Sequence, residues 1–271
     1  MTFHHAKAAL LGTMFADVRW VASTGSTNKD MLDLMATPHG DPSAAVVMLA
    51  EYQSAGRGRL DRKWSAPAGA SILMTIGIPV DSLLPERRTL LTSALAISVA
   101  SAPSVAGQLS IKWPNDLVAV GSGADGTDRK VGGILAELHS LPGRGDVVLL
   151  GIGLNVNWPE IPEELEPIAE SLNRLLGAEV DREQLVAEVL LALGTRWMPV
   201  LSDRTSAPTE LLVAYRERSA TLGRRVRVEL PTAELFGTAT EITATGELVV
   251  VDDQNVERVL SVGDVVHLRP T

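Results

Sequence analysis

The chain contains no cysteine in 271 residues. Disulfides, cysteine-ligated zinc, iron–sulfur clusters and thiol catalysis are thereby excluded. Positive charge is also scarce: 24 Lys and Arg stand against 33 Asp and Glu, a formal charge of −9. Duplex DNA needs a basic contact face, so this balance argues against nucleic acid as a partner while leaving room for a local basic site. No apolar run reaches the length of a membrane span. The best candidate, residues 90–106, is interrupted by Ser93, Ser98, Ser101 and Pro103, so no membrane is expected. The first eleven residues lack a basic stretch followed by a long apolar one, which predicts no signal peptide and a cytoplasmic location. The five His show no metal-site spacing, no Gly-x-Ser-x-Gly elbow occurs, and no P-loop is present. What remains is an ordinary globular composition, 45% hydrophobic and 21% charged, in a chain long enough for one large core and a small satellite domain.

Local patterns predict the elements. A strand is expected over 17–22, a polar turn over 23–27, and a helix over 28–35 that Ser26 or Thr27 could N-cap. The run Ala-Val-Val-Met-Leu-Ala at 45–50 reads as a strand covered on both faces. Further strands are expected over 71–78, 110–113, 131–138 and 147–153, the last two pairing across the turn at Gly143–Gly145. Helical spacing runs through 85–102, 185–193 and 209–219. His4 and His5 are expected in a mobile terminus. After Gly223 the texture changes to short alternating segments at 224–230, 237–242, 247–251, 257–260 and 265–269, separated by turn residues such as Pro231, Gly246 and Gly263-Asp264. A small β-barrel is expected there, with a domain boundary near residue 222. The main domain reads as α+β, because its strands pair by short turns as well as across helices.

Four segments carry candidate chemistry. Gly56-Arg57-Gly58-Arg59-Leu60-Asp61-Arg62-Lys63-Trp64 places four cations within seven positions of an acidic protein. Arginine forks suit carboxylate and phosphate oxygens, and the glycines let backbone approach a ligand; the plain alternative is a solvated basic loop. Lys112-Trp113-Pro114-Asn115-Asp116 bunches a lysine, an amide and a carboxylate where a strand ends, and can equally be turn chemistry. Arg129-Lys130-Val131-Gly132-Gly133-Ile134-Leu135 sets a lysine before two glycines, which mark either a ligand against bare backbone or a bulge. Gly151-Ile152-Gly153-Leu154-Asn155 lacks the third glycine and the helix of a dinucleotide fold, and Trp158-Pro159 forbids that continuation.

Together with Ser26-Thr27-Asn28 and Glu51-Tyr52-Gln53-Ser54-Ala55, these segments resemble, in order, the motifs of the biotin protein ligases. The resemblance covers essentially the whole chain. It implies a mixed-sheet α+β catalytic domain of the biotin/lipoate ligase type over 1–222 and a small C-terminal SH3-like β-barrel over 223–271. It also implies the monofunctional type, without an N-terminal DNA-binding domain, since Ser26 leaves little room for one. The implied activity joins biotin to ATP as biotinyl-5′-AMP, releases pyrophosphate, and transfers biotin to one lysine of a biotin carboxyl carrier protein or domain. Mg²⁺ would accompany ATP, with no bound prosthetic group and no protein metal site, and a homodimer is possible.

By the same resemblance, Ser26, Thr27, Asn28 and Gln53 belong to the biotin site, with Ser26, Thr27 and Gln53 on the ureido head and backbone at Arg57 beside them. The apolar tail would lie along Gly132, Gly133, Gly151 and Gly153, where missing side chains leave room. Arg59 and Lys130 would hold the carboxylate and α-phosphate, with Gly58, Arg62 and Trp64 alongside and Asn155 on adenine. Lys112 and Asp116 would sit near the phosphates, Asp116 orienting the incoming lysine. No Trp matches the one that stacks on adenine in some members, although Trp158 is nearby. The segment 56–64 is expected to be mobile or disordered without ligand, so that it can fold over an adenylate that water would destroy. The C-terminal domain is expected to carry no site residue of its own. A lipoate ligase is the nearest rival, but its Arg-Arg-x-Ser-Gly-Gly-Gly segment is absent. A biotin-responsive regulator and a non-catalytic scaffold are the others.

Overall fold

A computed structural model describes residues 3–37, 44–230 and 233–268. His39, Pro231 and Arg269 lie outside the described residues. In chain order the elements are α1 (His4–Ala9), β1 (Asp17–Val21), α2 (Thr27–Ala36), β2 (Val46–Ala50), β3 (Gly56–Arg57), β4 (Lys63–Trp64), β5 (Ser71–Pro79), α3 (Pro85–Arg88), α4 (Leu90–Ala100), β6 (Ser110–Lys112), β7 (Asp116–Ala119), β8 (Arg129–Leu141), β9 (Gly145–Asn155), α5 (Leu172–Leu176), α6 (Arg182–Ala192), α7 (Met198–Ser202) and α8 (Thr209–Glu217). The C-terminal strands are β10 (Arg225–Glu229), β11 (Glu234–Ile242), β12 (Leu248–Asp252), β13 (Glu257–Leu260) and β14 (Asp264–His267).

Seven strands form one mixed sheet in the order β1-β2-β5-β9-β8-β7-β6. Only β1 and β2 pair in parallel within it, because α2 makes the crossover between them; the other neighbours are antiparallel. Central strands β2 and β5 are buried almost throughout, which is why they read as continuous apolar runs. Helix α4 is buried on nearly every side, between the sheet and α6, α7 and α8. The remaining strands form a five-stranded antiparallel sheet, β13-β12-β11-β10-β14, with Val226, Val228, Ala239, Ile242, Leu248 and Val250 inward. These residues belong to the same apolar cluster as the main core, so the two sheets share packing.

Several sequence expectations need correction. His4 and His5 open α1, a short helix that packs on α6, rather than a mobile terminus. Phe3 and Leu10 anchor it in the core, and the His5 N–H donates to Glu183. The helix expected over 85–102 divides at Thr89 into α3 and α4. Strand β7 was not foreseen; its Asp116–Ala119 stretch pairs back on β6 where only a turn was read. The absence of a spanning-length run also needs amendment. Residues Arg182–Ser202 form one helical run that passes for a membrane span by length and composition. Half of its apolar window is buried, and Leu185, Val189, Leu190, Trp197 and Leu201 lie in the core, as a core helix of a globular fold requires.

Candidate functional site

The candidate residues converge on one cavity of about 500 Å³ over the face of β8 and β9. Its lining includes Ser26, Thr27, Asn28, Gln53, Arg57, Gly58, Arg59, Arg62, Trp64, Lys112, Asp116, Lys130, Gly133, Gly151, Gly153 and Asn155. Gly132 is the exception: strand alternation turns it to the other face, against Leu154 and Leu117. Residues some 130 positions apart in sequence meet because β5, β9 and β8 are sheet neighbours.

One end of the cavity is neutral and buried. Ser26 precedes α2 with extended backbone at the N-cap position, yet its hydroxyl makes no capping bond, against the expectation that it caps the helix. The Thr27 N–H donates to Gln53 Oε1 at 2.7 Å, and the Thr27 hydroxyl donates to the same oxygen at 3.0 Å. Thr27 and Asn28 are almost fully buried. Asn28 Nδ2 donates to Glu137 at 2.7 Å, and Arg57 donates to that carboxylate at 3.0 Å.

The glycines behave differently from the sequence reading. Part of the space over them is taken by this chain's own side chains, while Gly133, Gly151 and Gly153 still line the cavity. A Cβ on Gly153 would lie 2.3 Å from the Trp64 indole, one on Gly151 would lie 2.2 Å from Asn28 Oδ1, and one on Gly133 would lie 3.1 Å from Lys130. The bare backbone therefore seats an indole, an amide and an ammonium group, and these in turn wall the cavity. Lys130 Nζ also lies 5.7 Å from the centre of the Trp64 ring, within cation–π range.

The other end is cationic. Segment 56–64 folds as a hairpin, β3 against β4. Gly56 is required there, since a Cβ would sit 2.4 Å from the Trp64 carbonyl oxygen. From this hairpin Arg59 donates to Asn115 Oδ1 at 2.9 Å and reaches Asp264 at 3.4 Å. Arg62 pairs with the same Asp264 carboxylate. Lys130 pairs with Asp116 at 2.7 Å. Lys112 stands beside them, and burial pushes its pKa below the ordinary lysine value, with Asp116 opposing. These cations surround a space that suits an anion.

At the far wall Asn155 Nδ2 donates to the Glu170 carbonyl at 3.1 Å, which leaves Oδ1 buried and without a partner among the described residues. Trp158 is a buried residue whose indole donates to Ser71, and it is part of the cavity lining. Residues Leu165, Ile168 and Ala169 close this side. Their segment is held on the Lys130 strand by the Lys130 N–H to Ile168 and the Glu170 N–H to Lys130.

Two participants escaped the sequence reading. Asp264 comes from β14 and looked like half of a Gly-Asp turn, and Glu229, Val265 and Val266 from the same sheet also line the cavity. The C-terminal domain thus supplies a carboxylate to the site, against the expectation that it carries none. Glu137 read as one polar position on an alternating strand.

Comparison with known proteins agrees with this geometry. Residues 20–157 match the Biotin/lipoate A/B protein ligase family, and residues 221–268 match the Biotin protein ligase C terminal domain. A biotin--[acetyl-CoA-carboxylase] ligase of Mycobacterium tuberculosis is 40% identical over 92% of this chain and 88% of its own length. A bifunctional ligase/repressor BirA of Bacillus spizizenii is 28% identical over 89% of this chain and 70% of its own. Among solved structures, a biotin protein ligase from Aquifex aeolicus in complex with biotin and ATP has a TM-score of 0.73 at 24% identity, covering 94% of this chain and all of that one. The mixed sheet with its cation-ringed cleft is thus a ligase architecture, and the chain belongs to the biotin protein ligases of the Biotin/lipoate A/B protein ligase family.

Proposed function

We propose that this enzyme activates biotin with ATP and transfers it to a lysine of a biotin carboxyl carrier protein or domain. The observation that carries the reading is one cavity with a neutral hydrogen-bonding end at Ser26, Thr27 and Gln53 and a cationic end at Arg59, Arg62, Lys112 and Lys130, with Arg57 bonded to Glu137 beside the neutral end. A molecule with a neutral polar head and an anionic tail fits that polarity.

In the first step a carboxylate oxygen of biotin attacks the α-phosphorus of ATP. The bond from that phosphorus to the bridging oxygen breaks, and pyrophosphate leaves with the electron pair. Arg59 and Lys130 hold carboxylate and α-phosphate together, and the neighbouring cations stabilise charge as it moves onto the leaving group. Mg²⁺ arrives as part of the nucleotide substrate. The open Oδ1 of Asn155 suits the exocyclic amine of adenine. In the second step the carrier lysine, as a free amine, attacks the acyl carbon; AMP leaves and the amine loses a proton. Asp116, on β7 and paired with Lys130, orients that amine in this reading. The C-terminal domain, packed on the main core, closes the cleft through Asp264 in this reading. The same reading carries the cytoplasmic location, where a carboxylase carrier is made.

The test is intact mass measurement of a biotin carrier domain incubated with the protein, ATP and biotin. A gain of one biotinyl group that requires ATP and the acceptor lysine is expected. Lipoyl transfer under the same conditions, with none from biotin, would favour the lipoate reading instead.

A further inference from the structure

The neutral end of the cavity is governed by a carboxylate that does not line it. Glu137 lies on β8 two positions beyond Leu135 and four beyond Gly133, so strand alternation puts all three on one face. Gly133 and Leu135 line the cavity, and Glu137 lies just past its end. Its Oε2 accepts from Asn28 Nδ2 at 2.7 Å and from Arg57 at 3.0 Å. A carboxylate can only accept, so Asn28 turns its amino group toward Glu137 and its Oδ1 the other way. Gly151 leaves the space for that amide.

Asn28 Oδ1 is met by the Thr75 hydroxyl at 2.6 Å. Thr75 is fully buried and has one hydroxyl proton to give. Once that proton goes to Asn28, Thr75 cannot also donate to Thr27 Oγ, which lies 2.8 Å away. Two inward acceptors, Thr75 Oγ and Gln53 Oε1 at 3.0 Å, then lie within reach of the Thr27 proton and draw it away from the cavity. Its remaining lone pair is what the cavity sees.

We infer that Glu137 is a positioning residue: acting through Asn28 and Thr75, it fixes the hydrogen-bond polarity of Thr27, so that the site presents an acceptor and selects a ligand head carrying an N–H, as a cyclic urea does. This rests on the biotin reading above. By holding Arg57 as well, the same carboxylate ties the hairpin to the neutral end of the site.

The test compares the wild type with Glu137→Gln and Thr75→Val, measuring biotin affinity by calorimetry without ATP, the KM for ATP, and the melting temperature. Neither side chain lines the cavity, so direct ligand contact does not enter. Glutamine can donate as well as accept and so releases the polarity; valine removes the relayed proton at nearly equal volume. Each variant is expected to weaken biotin binding about tenfold, the scale of one misdirected hydrogen bond, while the KM for ATP stays within about twofold. If Glu137→Gln does not fold, Thr75→Val decides alone. Biotin affinity within about twofold of wild type in a folded variant, or an equal loss for ATP, overturns the relay. A wild type that binds no biotin at all refutes the functional reading itself, which is a separate outcome.

Discussion

The two ends of the cleft are built in opposite ways. At the neutral end, Thr27, Asn28 and Thr75 are almost fully buried on α2 and β5, and their hydrogen bonds run through short neutral groups to a single carboxylate. At the cationic end, Arg59 and Arg62 sit on a short hairpin and share Asp264, which belongs to another sheet. Arg62 is 65% exposed. Buried neutral networks are rigid because a broken bond leaves an unsatisfied group, whereas exposed ion pairs exchange readily with water and with other anions. The neutral end is therefore suited to recognising a head group, and the cationic end to trading its internal carboxylates for those of the substrates. On the proposed reading, Asp264 and Asp116 stand where substrate anions would approach Arg59 and Lys130.

The largest expected effect lies at the cationic end. Lys130→Ala should abolish biotin-dependent exchange between ATP and pyrophosphate, and Lys130→Arg should leave weak activity, because charge is kept but shape is not. A covalent adduct trapped on Lys130 during turnover would contradict its electrostatic role. Next comes the floor between the two ends. Gly153→Ala would drive a Cβ into the Trp64 indole. The loss of stability should be about 1–3 kcal/mol in denaturant unfolding, with weaker nucleotide binding as Trp64 and Lys130 shift. Normal stability would show that the indole moves aside freely.

A smaller effect is expected at the joint between the sheets. His267 on β14 is bonded to Asp128 at 2.9 Å and faces Arg224, Thr221 and, more remotely, Lys112. Burial lowers its pKa from the ordinary 6.5, with Asp128 opposing, so the folded chain favours neutral histidine. Asp128 is itself held below the ordinary value: burial works the other way, but the Gly121 N–H and His267 prevail. Both shifts have the same sign. Stability from this joint is complete above the unfolded histidine pKa and falls as pH drops through the lower folded one. Melting temperature should therefore decline on acidification below about pH 6.5, less so in His267→Gln. The smallest effect is Asp264→Asn, which should change stability by about 1 kcal/mol, since Arg62 is largely solvated and Arg59 keeps its bond to Asn115. Faster amide exchange across 56–64 in that variant would mark the loosened hairpin.

Much of the catalytic domain is legible in its sequence because its signals are local. The glycine-arginine hairpin, the Lys-Trp-Pro-Asn-Asp corner and the Gly-Ile-Gly stretch each carry their residue types in one place, and the run at 45–50 announces a buried strand. What was missed depends on distance. Asp264 lies 205 positions from Arg59, and a Gly-Asp pair between strands reads as a turn wherever it falls. Glu137 shows the alternation of any half-solvated strand, and only the fold brings Asn28 and Arg57 to it. The glycines show the same limit: a missing side chain signals close approach, but not whether a ligand or an indole approaches. Helix α1 was missed because it is six residues long and has no side-chain cap, so its stability comes from packing on α6.

The separation of recognition from reaction is tested most directly by measuring biotin affinity and the single-turnover rate of adenylate formation in Thr27→Val and Arg59→Ala side by side. Thr27→Val should weaken biotin about tenfold or more while the rate at saturating biotin stays close to wild type. Arg59→Ala should weaken biotin much less than Thr27→Val does and slow adenylate formation by about two orders of magnitude, the scale of losing one preorganised donor to the developing charge. If Arg59→Ala lost biotin affinity as heavily as Thr27→Val, or formed adenylate at the wild-type rate, the two ends would not divide the work in this way.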